Sequence, residues 1–165
     1  MPKKKAKRQL KQLLETWFPL DGSALADKVL PHVTALASAM GLNVILVRVT
    51  ASADEYYLYV DVSSAADINT DRFDAYAQEA EDPAASYLSQ VKENLLKNGV
   101  KSVKERVVSG NSAISILDLV QETPSCLVAL TTHGRSGVER WILGSVTDRL
   151  VRHSGQPVLV IRADD

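Results

Sequence analysis

Two glycines and a serine in the last third of the chain have the spacing of a phosphate-binding site. Gly134 follows an apolar run closely, and after nine intervening residues Gly144 and Ser145 stand immediately before a predicted helix. Glycine lets the backbone approach a ligand closely, and a helix N-terminus offers free N–H groups with a partial positive charge. The Ser145 hydroxyl is able either to cap the helix or to bond a phosphate oxygen. The pattern therefore predicts a cradle for a phosphate group.

The residues around this cradle favour binding over catalysis. The chain has neither a Gly-x4-Gly-Lys-Ser/Thr loop nor a Gly-x-Gly-x-x-Gly sequence after its first predicted strand. It has no nucleophile with a neighbouring base, and no acidic pair for magnesium beyond Asp21. The glycine spacing alone also suits an ordinary turn between a strand and a helix. We therefore expect no dedicated enzyme and no protein-bound metal.

The elements that must position the cradle alternate along the chain. Apolar stripes and β-branched runs predict five strands and four helices in the order βαβαβαβαβ. Right-handed crossovers then place helices on both faces of one parallel sheet. We predict a three-layer α/β/α sandwich, doubly wound like flavodoxin and Rossmann folds, with strand order 3-2-1-4-5. Ligands bind such sheets where the strand order reverses, which here means at Asp21 and at His133 and Gly134.

Local patterns set the bounds of several elements. An apolar stripe over residues 25–40 predicts the first helix, and Gly41 is expected to end it. Charged and apolar residues alternate over residues 100–108, which predicts a strand near the edge of the sheet. The first strand, just before Pro19, is short or irregular because Glu15 and Thr16 interrupt its apolar character.

Residues 51–82 form the least regular part of the sequence. Their tyrosines and acids follow no single period, although residues 71–81 are compatible with a helix. A connection of this length is either a functional lid or a variable surface insertion. Pro83 then predicts the first turn of the next helix, where a missing N–H costs nothing.

Bulk composition indicates one globular domain. The chain has 165 residues, of which 45% are hydrophobic and 24% charged, and no apolar run approaches the length of a membrane span. The single cysteine, Cys126, excludes an internal disulfide and lies in an apolar run. A reducing compartment suits a buried thiol, and we expect a cytoplasmic protein.

Charge is distributed unevenly. The first eleven residues carry six basic side chains and no acid, whereas the remainder holds 13 basic and 20 acidic residues, a net charge of −7. We expect residues 1–14 to be a flexible basic tail or an extra helix, and residues 15–165 to form the domain. An acidic body argues against nucleic acid as a partner, although the tail alone would suit an anionic surface.

Three segments near the C-terminus closely resemble the universal stress protein family. They are residues 133–137 (HGRSG), 143–146 (LGSV) and 157–161 (PVLVI), and residues 19–23 (PLDGS) resemble the start of the family's first helix. Nucleotide-binding members of that family carry Gly-x2-Gly-x9-Gly-Ser/Thr. Here the second and third glycines are Gly134 and Gly144, while Thr131 replaces the first. Members that lack the complete motif often do not bind ATP.

The resemblance implies specific roles for residues of this chain. It places Pro19, Leu20 and Asp21 near the ribose and adenine, Val49 against the adenine, and Leu130, Thr131, His133 and Gly134 beside the ribose and phosphates. It assigns phosphate binding to Gly144, Ser145, Val146 and Thr147. The implied ligand is ATP or AMP, with or without Mg²⁺, and neither flavin nor NAD.

Each of these positions also has a purely structural interpretation. Asp21 suits a helix cap or an Asx-turn as well as a ligand contact, and Ser145 suits an N-cap. Thr131 fits an extended strand, where its side chain would narrow the pocket, but it would be strained if the position required a positive φ.

Two functions of different classes follow. The first is a stress-response or signalling module that binds an adenine nucleotide, with slow ATP hydrolysis at most. The alternative is an interaction module of the same family that keeps the fold and dimer but binds no nucleotide. In both, an apolar edge strand would pair with its copy in a homodimer. That strand contains Val158, Leu159, Val160 and Ile161.

Overall fold

The computed structural model describes residues 15–52, 70–134 and 143–164, with side chains over residues 15–52, 82–132 and 143–162. The predicted basic tail, residues 1–14, lies outside the described residues. Residues 53–69, part of the predicted insertion at residues 51–82, also lie outside them.

The described strands form one parallel sheet. They are β1 (Glu15–Pro19), β2 (Asn43–Thr50), β3 (Val103–Ser109), β4 (Cys126–Gly134) and β5 (Val158–Asp164). Their spatial order is β3-β2-β1-β4-β5, which confirms the predicted order and fold class. The central strand β1 pairs with both β2 and β4, so the chain reverses direction across the sheet between β1 and β4. The charged strand β3 and the apolar strand β5 are the two edges, as predicted.

Helices connect the strands in alternation. They are α1 (Ala24–Asp27), α2 (Leu30–Met40), α3 (Thr70–Lys97), α4 (Ser112–Gln121) and α5 (Ser145–His153). None of these helices, in the described ranges, combines the length and apolarity that crossing a bilayer requires.

The prediction of one helix over residues 25–40 is wrong, because α1 and α2 are separate. The break precedes Pro31, which lies in the first turn of α2 and has no N–H to donate to the carbonyl of residue 27. The N–H groups of Lys28 and Val29 instead bond carbonyls three residues back. The predicted end at Gly41 is confirmed, with a left-handed φ of 68°.

The prediction that Pro83 starts a helix is also wrong. Pro83 lies inside α3, which begins at Thr70 and so includes the stretch that was compatible with helix. The exposed Pro83 ring faces away from the sheet, while Ala84 and Leu88 are buried on the opposite side of the helix. Packing of this apolar stripe compensates for the hydrogen bond that proline removes.

Each face of the sheet has its own apolar core. We call the side covered by α1, α2 and α3 the first face, and the side covered by α4 and α5 the second face. The first core includes Phe18, Val29, Val33, Leu46, Leu88 and Leu95. The second core includes Trp17, Val47, Leu117, Val128 and Leu150. Because strand side chains alternate, Arg48 belongs to the first face and Val49 to the second.

Candidate functional site

A cleft of about 890 Å³ opens on the second face at the carboxyl edge of the sheet. Three parts of the chain meet there: the end of β2, the turn that enters α4, and one side of α5. The lining residues are Val49, Thr50, Ala51, Gly110, Asn111, Ser112, Ala113, Ser145, Val146, Asp148, Arg149 and His153. The volume lies within the range of small-molecule sites in proteins.

Helix α5 begins at this cleft without a side-chain cap. Its N-cap residue is Gly144, and no side chain in the described part of the chain accepts a hydrogen bond from the first turn. The first intrahelical bond joins the Asp148 N–H to the Gly144 carbonyl at 2.8 Å, so the N–H groups of residues 145–147 precede it. A Cβ built on Gly144 would meet nothing within 4 Å. The start of α5 is therefore open to a ligand.

The three residues that follow Gly144 have different surroundings. Ser145 is the first residue of α5 and not its cap, and its side chain is exposed. Val146 is half-buried and packs against the second core. Thr147 is only 3% exposed and is not among the residues that line the cleft.

Helix α4 begins at the same cleft with its first turn satisfied. The Asn111 Oδ1 accepts hydrogen bonds from the Ala113 N–H at 3.1 Å and the Ile114 N–H at 3.2 Å. Asn111 is not among the site residues that the sequence predicted, so this wall of the cleft was missed. The available signal was an asparagine before a helix that starts, like α5, at the carboxyl edge on the second face.

The apolar part of the cleft comes from β2. Val49 is half-buried beside the second core and lines the cleft, where it offers an apolar surface that suits a flat ring. Leu130 on β4 is 5% exposed and belongs to the same core, but it is not among the residues that line the cleft.

The loop after β1 carries Asp21. Its Oδ1 accepts a hydrogen bond from the Ser23 N–H at 2.9 Å, which makes an Asx-turn. Ser23, not Asp21, caps α1, because the Ser23 Oγ accepts from the Ala26 N–H at 3.1 Å. Burial alone would raise the pKa of Asp21, but hydrogen bonds with Ser23 and the charge of Arg48 outweigh it and lower the pKa.

None of the three predicted residues of this loop, Pro19, Leu20 and Asp21, is among the residues that line the cleft. Pro19 ends β1 in register with Val47, and the Leu20 N–H donates to the Val47 carbonyl at 2.9 Å. The Leu20 side chain is buried in the first core, on the opposite face from the cleft. The structure therefore does not bring the Leu20 side chain to the cleft.

Thr131 lies inside β4, in register with Ile161. Among the described residues the non-glycine with a positive φ is Ser125, so Thr131 needs no left-handed backbone. By alternation its side chain shares the first face with Leu127 and Ala129. Threonine is therefore unstrained here and does not narrow the cleft.

His133 and Gly134 end β4, in register with Ala163 and Asp164. The backbone thus carries both to the carboxyl edge, next to β1 in the sheet order. Their side-chain surroundings lie outside the described part of the structure.

Comparison with known proteins identifies the family. The universal stress protein family profile matches residues 17–162. The chain belongs to the universal stress protein family. This confirms the resemblance seen in the sequence.

Relatives of this universal stress protein occur in archaea and bacteria. Universal stress protein MJ0577 of Methanocaldococcus jannaschii is 25% identical over 150 residues, covering 88% of this chain and 92% of its own length. A putative universal stress protein of Staphylococcus saprophyticus, SSP1056, is 38% identical over 79 residues, 47% of each chain.

Solved structures share the fold. MJ0577 superposes with a TM-score of 0.73 at 21% identity, covering 93% of this chain and 99% of its own. A universal stress protein in complex with cAMP has a TM-score of 0.64 at 18% identity, covering 92% and 98%. One from Archaeoglobus fulgidus in complex with dAMP has a TM-score of 0.57 at 17% identity, covering 90% and 97%.

The cleft of this universal stress protein combines a helix start with an apolar surface. The described residues contain no group of three histidine, cysteine, aspartate or glutamate side chains placed to hold a metal ion. An uncapped helix start suits an anion, and the apolar base beside Val49 suits a flat ring. Together these features suit a ligand that is anionic at one end and aromatic at the other.

Proposed function

We propose that this protein binds an adenine nucleotide, ATP or AMP, and acts as a stress-response or signalling module, not as a dedicated catalyst. The observation that carries the proposal is the uncapped start of α5 at Gly144, which opens onto a cleft of about 890 Å³. Free N–H groups and the helix dipole stabilise a phosphate at such a position.

The rest of the nucleotide then has an evident orientation. With phosphates at residues 144–147, the adenine lies on the apolar surface that Val49 contributes to the cleft. The ribose is near the Asp21 carboxylate and the backbone of His133 and Gly134, at the carboxyl ends of β1 and β4. This is the switch point at which doubly wound sheets bind ligands.

Two solved relatives support the choice of adenine. One is a complex with cAMP and the other a complex with dAMP, and both molecules carry adenine, a sugar and a phosphate. Any Mg²⁺ would accompany the phosphates with water ligands, because the described residues offer no cluster of three metal ligands. The buried thiol of Cys126 suits a reducing compartment, and we place the protein in the cytoplasm.

Calorimetric titration of the full chain with ATP and AMP tests the proposal. We expect saturable binding in the micromolar range, worth about −8 kcal/mol. Gly144→Val should weaken binding by roughly 100-fold, since about 2.7 kcal/mol of amide–phosphate contacts would be lost. The variant should still fold, with only a small loss of thermal stability, because a Cβ at residue 144 meets no atom within 4 Å although valine is a poorer N-cap than glycine.

Two outcomes would contradict this assignment. Unchanged affinity in Gly144→Val would place the phosphates elsewhere. Absence of heat with both nucleotides, together with no adenylate in the supernatant of denatured protein, would leave the family's alternative role as a ligand-free interaction module.

We also propose that β5 pairs with its copy in a homodimer. Val158, Leu159, Val160 and Ile161 are all half-buried at an open edge of the sheet. The opposite edge, β3, carries Lys104, Glu105 and Arg106, and charged side chains protect an edge against pairing. The apolar edge is therefore the one suited to a two-fold partner.

Light scattering on Val160→Lys tests this pairing. We expect the wild-type protein to have twice the mass of the variant at the same concentration, because the substitution would place two lysines at a two-fold interface. Val151→Lys is the matched control, since Val151 is 47% exposed and lies on α5, outside the edge strand. A wild-type monomer, or a dimer that persists in Val160→Lys, would contradict the proposal.

A further inference from the structure

Arg48 lies near the end of β2 on the first face, opposite the cleft. Its guanidinium carbon is 5.3 Å from the centre of the Tyr87 ring on α3, within the range of a cation–π interaction. The Tyr87 hydroxyl in turn donates a hydrogen bond to the Asp27 carboxylate at the end of α1. Arg48 is thus held by the Tyr87 side chain, which is fixed by its place on α3 and by the hydrogen bond of its hydroxyl.

The same guanidinium also packs against the loop after β1. Gly22 has a φ of +79°, and a Cβ built on it would lie 2.6 Å from the Arg48 Nη1 and 3.2 Å from the Arg48 Cζ. Only glycine permits both this backbone angle and this approach. Arg48 therefore supports the loop of residues 21–23 directly.

This loop carries the carboxylate that the proposed nucleotide would meet. The Ser23 N–H fixes the Asp21 Oδ1 at 2.9 Å, and the Arg48 charge favours the ionised form of Asp21. Neither Arg48 nor Tyr87 lines the cleft on the second face. Any effect of Arg48 on the ligand must therefore act through the loop.

We propose that Arg48 is the positioning residue for Asp21: stacked on Tyr87 and packed beneath Gly22, it holds the Asp21 carboxylate against the ribose hydroxyls of the bound nucleotide. The proposal rests on the proposed function for its ligand. It adds a support for the ribose that comes from the face of the sheet opposite the cleft.

Titrations with ATP and 2′,3′-dideoxy-ATP, which lacks both ribose hydroxyls, test the proposal. Arg48→Met should raise the Kd for ATP about tenfold, equivalent to about 1.4 kcal/mol, and leave that for the dideoxy analogue within about twofold. Arg48→Lys keeps the charge without the planar stacking and should fall between. In an Asp21→Asn background, Arg48→Met should add no further loss, because both substitutions remove the same contact.

Arg106→Met is the matched control. It removes the same charge from the neighbouring strand β3, where Arg106 is exposed, and should leave the affinity for ATP unchanged. Equal losses for ATP and the dideoxy analogue, or unchanged affinity for ATP in Arg48→Met, would overturn the positioning role. If Arg48→Met fails to fold, Arg48→Lys carries the same comparison.

Hydrogen exchange without ligand separates this inference from the proposed function. The Ser23 amide, bonded to Asp21, should exchange roughly tenfold faster in Arg48→Met and at the wild-type rate in Arg106→Met. Unchanged protection of Ser23 would show that Arg48 does not hold the loop. Failure of the wild-type protein to bind ATP would instead overturn the proposed function, and the exchange rates would still decide the role of Arg48.

Discussion

Helices α4 and α5 begin at the same cleft, yet their first turns are completed differently. At α4, the Asn111 side chain accepts hydrogen bonds from two N–H groups of the first turn. At α5, Gly144 has no side chain to do so, and space for a Cβ is open. Both helices place a partial positive charge at the cleft, but only α4 has its donors satisfied by a side chain in the described part of the chain.

The difference indicates where a ligand contributes to the structure. The first-turn N–H groups of α4 already have a side-chain acceptor, so a phosphate at α4 would have to displace Asn111. An uncapped helix leaves donors that water satisfies until an anion replaces it. The comparison therefore places the proposed anion site at α5, while α4 forms a wall of the cleft.

An acidic N-cap on α5 should change ATP affinity more than any other substitution in this comparison. Gly144→Asp would satisfy the first turn from within and place a negative charge where the phosphate is expected. We expect ATP affinity to fall at least 100-fold, about 2.7 kcal/mol, measured by calorimetry. Thermal stability should rise slightly, because an acid at a helix start contributes about 0.3–1 kcal/mol.

Gly144→Asn shows how much of the affinity loss in Gly144→Asp comes from capping the helix and how much from the negative charge. It should lower ATP affinity by an intermediate factor of about tenfold, since asparagine competes for the same N–H groups without repelling the phosphate. Full ATP affinity in Gly144→Asp would show that the two helix starts are equivalent.

Removing the cap of α4 should affect folding more than binding. Asn111→Ala leaves two first-turn N–H groups without their side-chain acceptor, and we expect a loss of about 1 kcal/mol in the free energy of unfolding. For a domain of this size that corresponds to about 2–4 °C in Tm. ATP affinity should change less than about threefold, or 0.65 kcal/mol.

Asn111→Ser, which retains an acceptor, is the control and should recover most of the stability lost in Asn111→Ala. A loss of ATP binding in Asn111→Ala comparable to that in Gly144→Asp would make α4 part of the anion site.

A smaller effect is expected at Asp148, in the first turn of α5. Its Oδ1 pairs with the Arg152 Nε at 2.8 Å, and the side chain lines the cleft. Asp148→Asn removes a negative charge near the phosphate and should raise ATP affinity about twofold to threefold. Asp118→Asn, the same change on an exposed position of α4, should leave the affinity unchanged. Lower affinity in Asp148→Asn would indicate that Asp148 assists the ligand, for instance through a bound cation.

Much of the fold was predictable from the sequence because periodicity reports burial directly. The β-branched run of β2 and the alternation in β3 correctly predicted a central and an edge strand. The errors came from two prolines. Pro31 divides α1 from α2 within one continuous apolar stripe, and tertiary packing carries α3 through Pro83, where the sequence predicts a helix start.

The site was only partly predictable. Gly144, Ser145 and Val146 belong to a local pattern at a helix start, and the structure places them together at the cleft or its edge. The Asn111 wall comes from a different connection, and its proximity depends on helix packing that no local pattern reports. Nor does the sequence show that the Thr131 side chain lies on the far face, because that depends on the exact register of β4.

The start of α1 extends the comparison to a third helix and gives the smallest expected effect. There Ser23 caps the helix and Asp21 accepts from the Ser23 N–H, so protein side chains satisfy the turn as they do at α4. The pKa of Asp21 is lowered from 3.8, so its charge stabilises the folded state above that pH, and this contribution is lost as pH falls through the folded-state pKa. Asp21→Asn keeps an acceptor but not the charge. Urea unfolding should therefore show that the variant is slightly less stable than wild type at neutral pH and equally stable in strong acid. A stability difference that is independent of pH would mean that the Asp21 charge contributes nothing to this helix start.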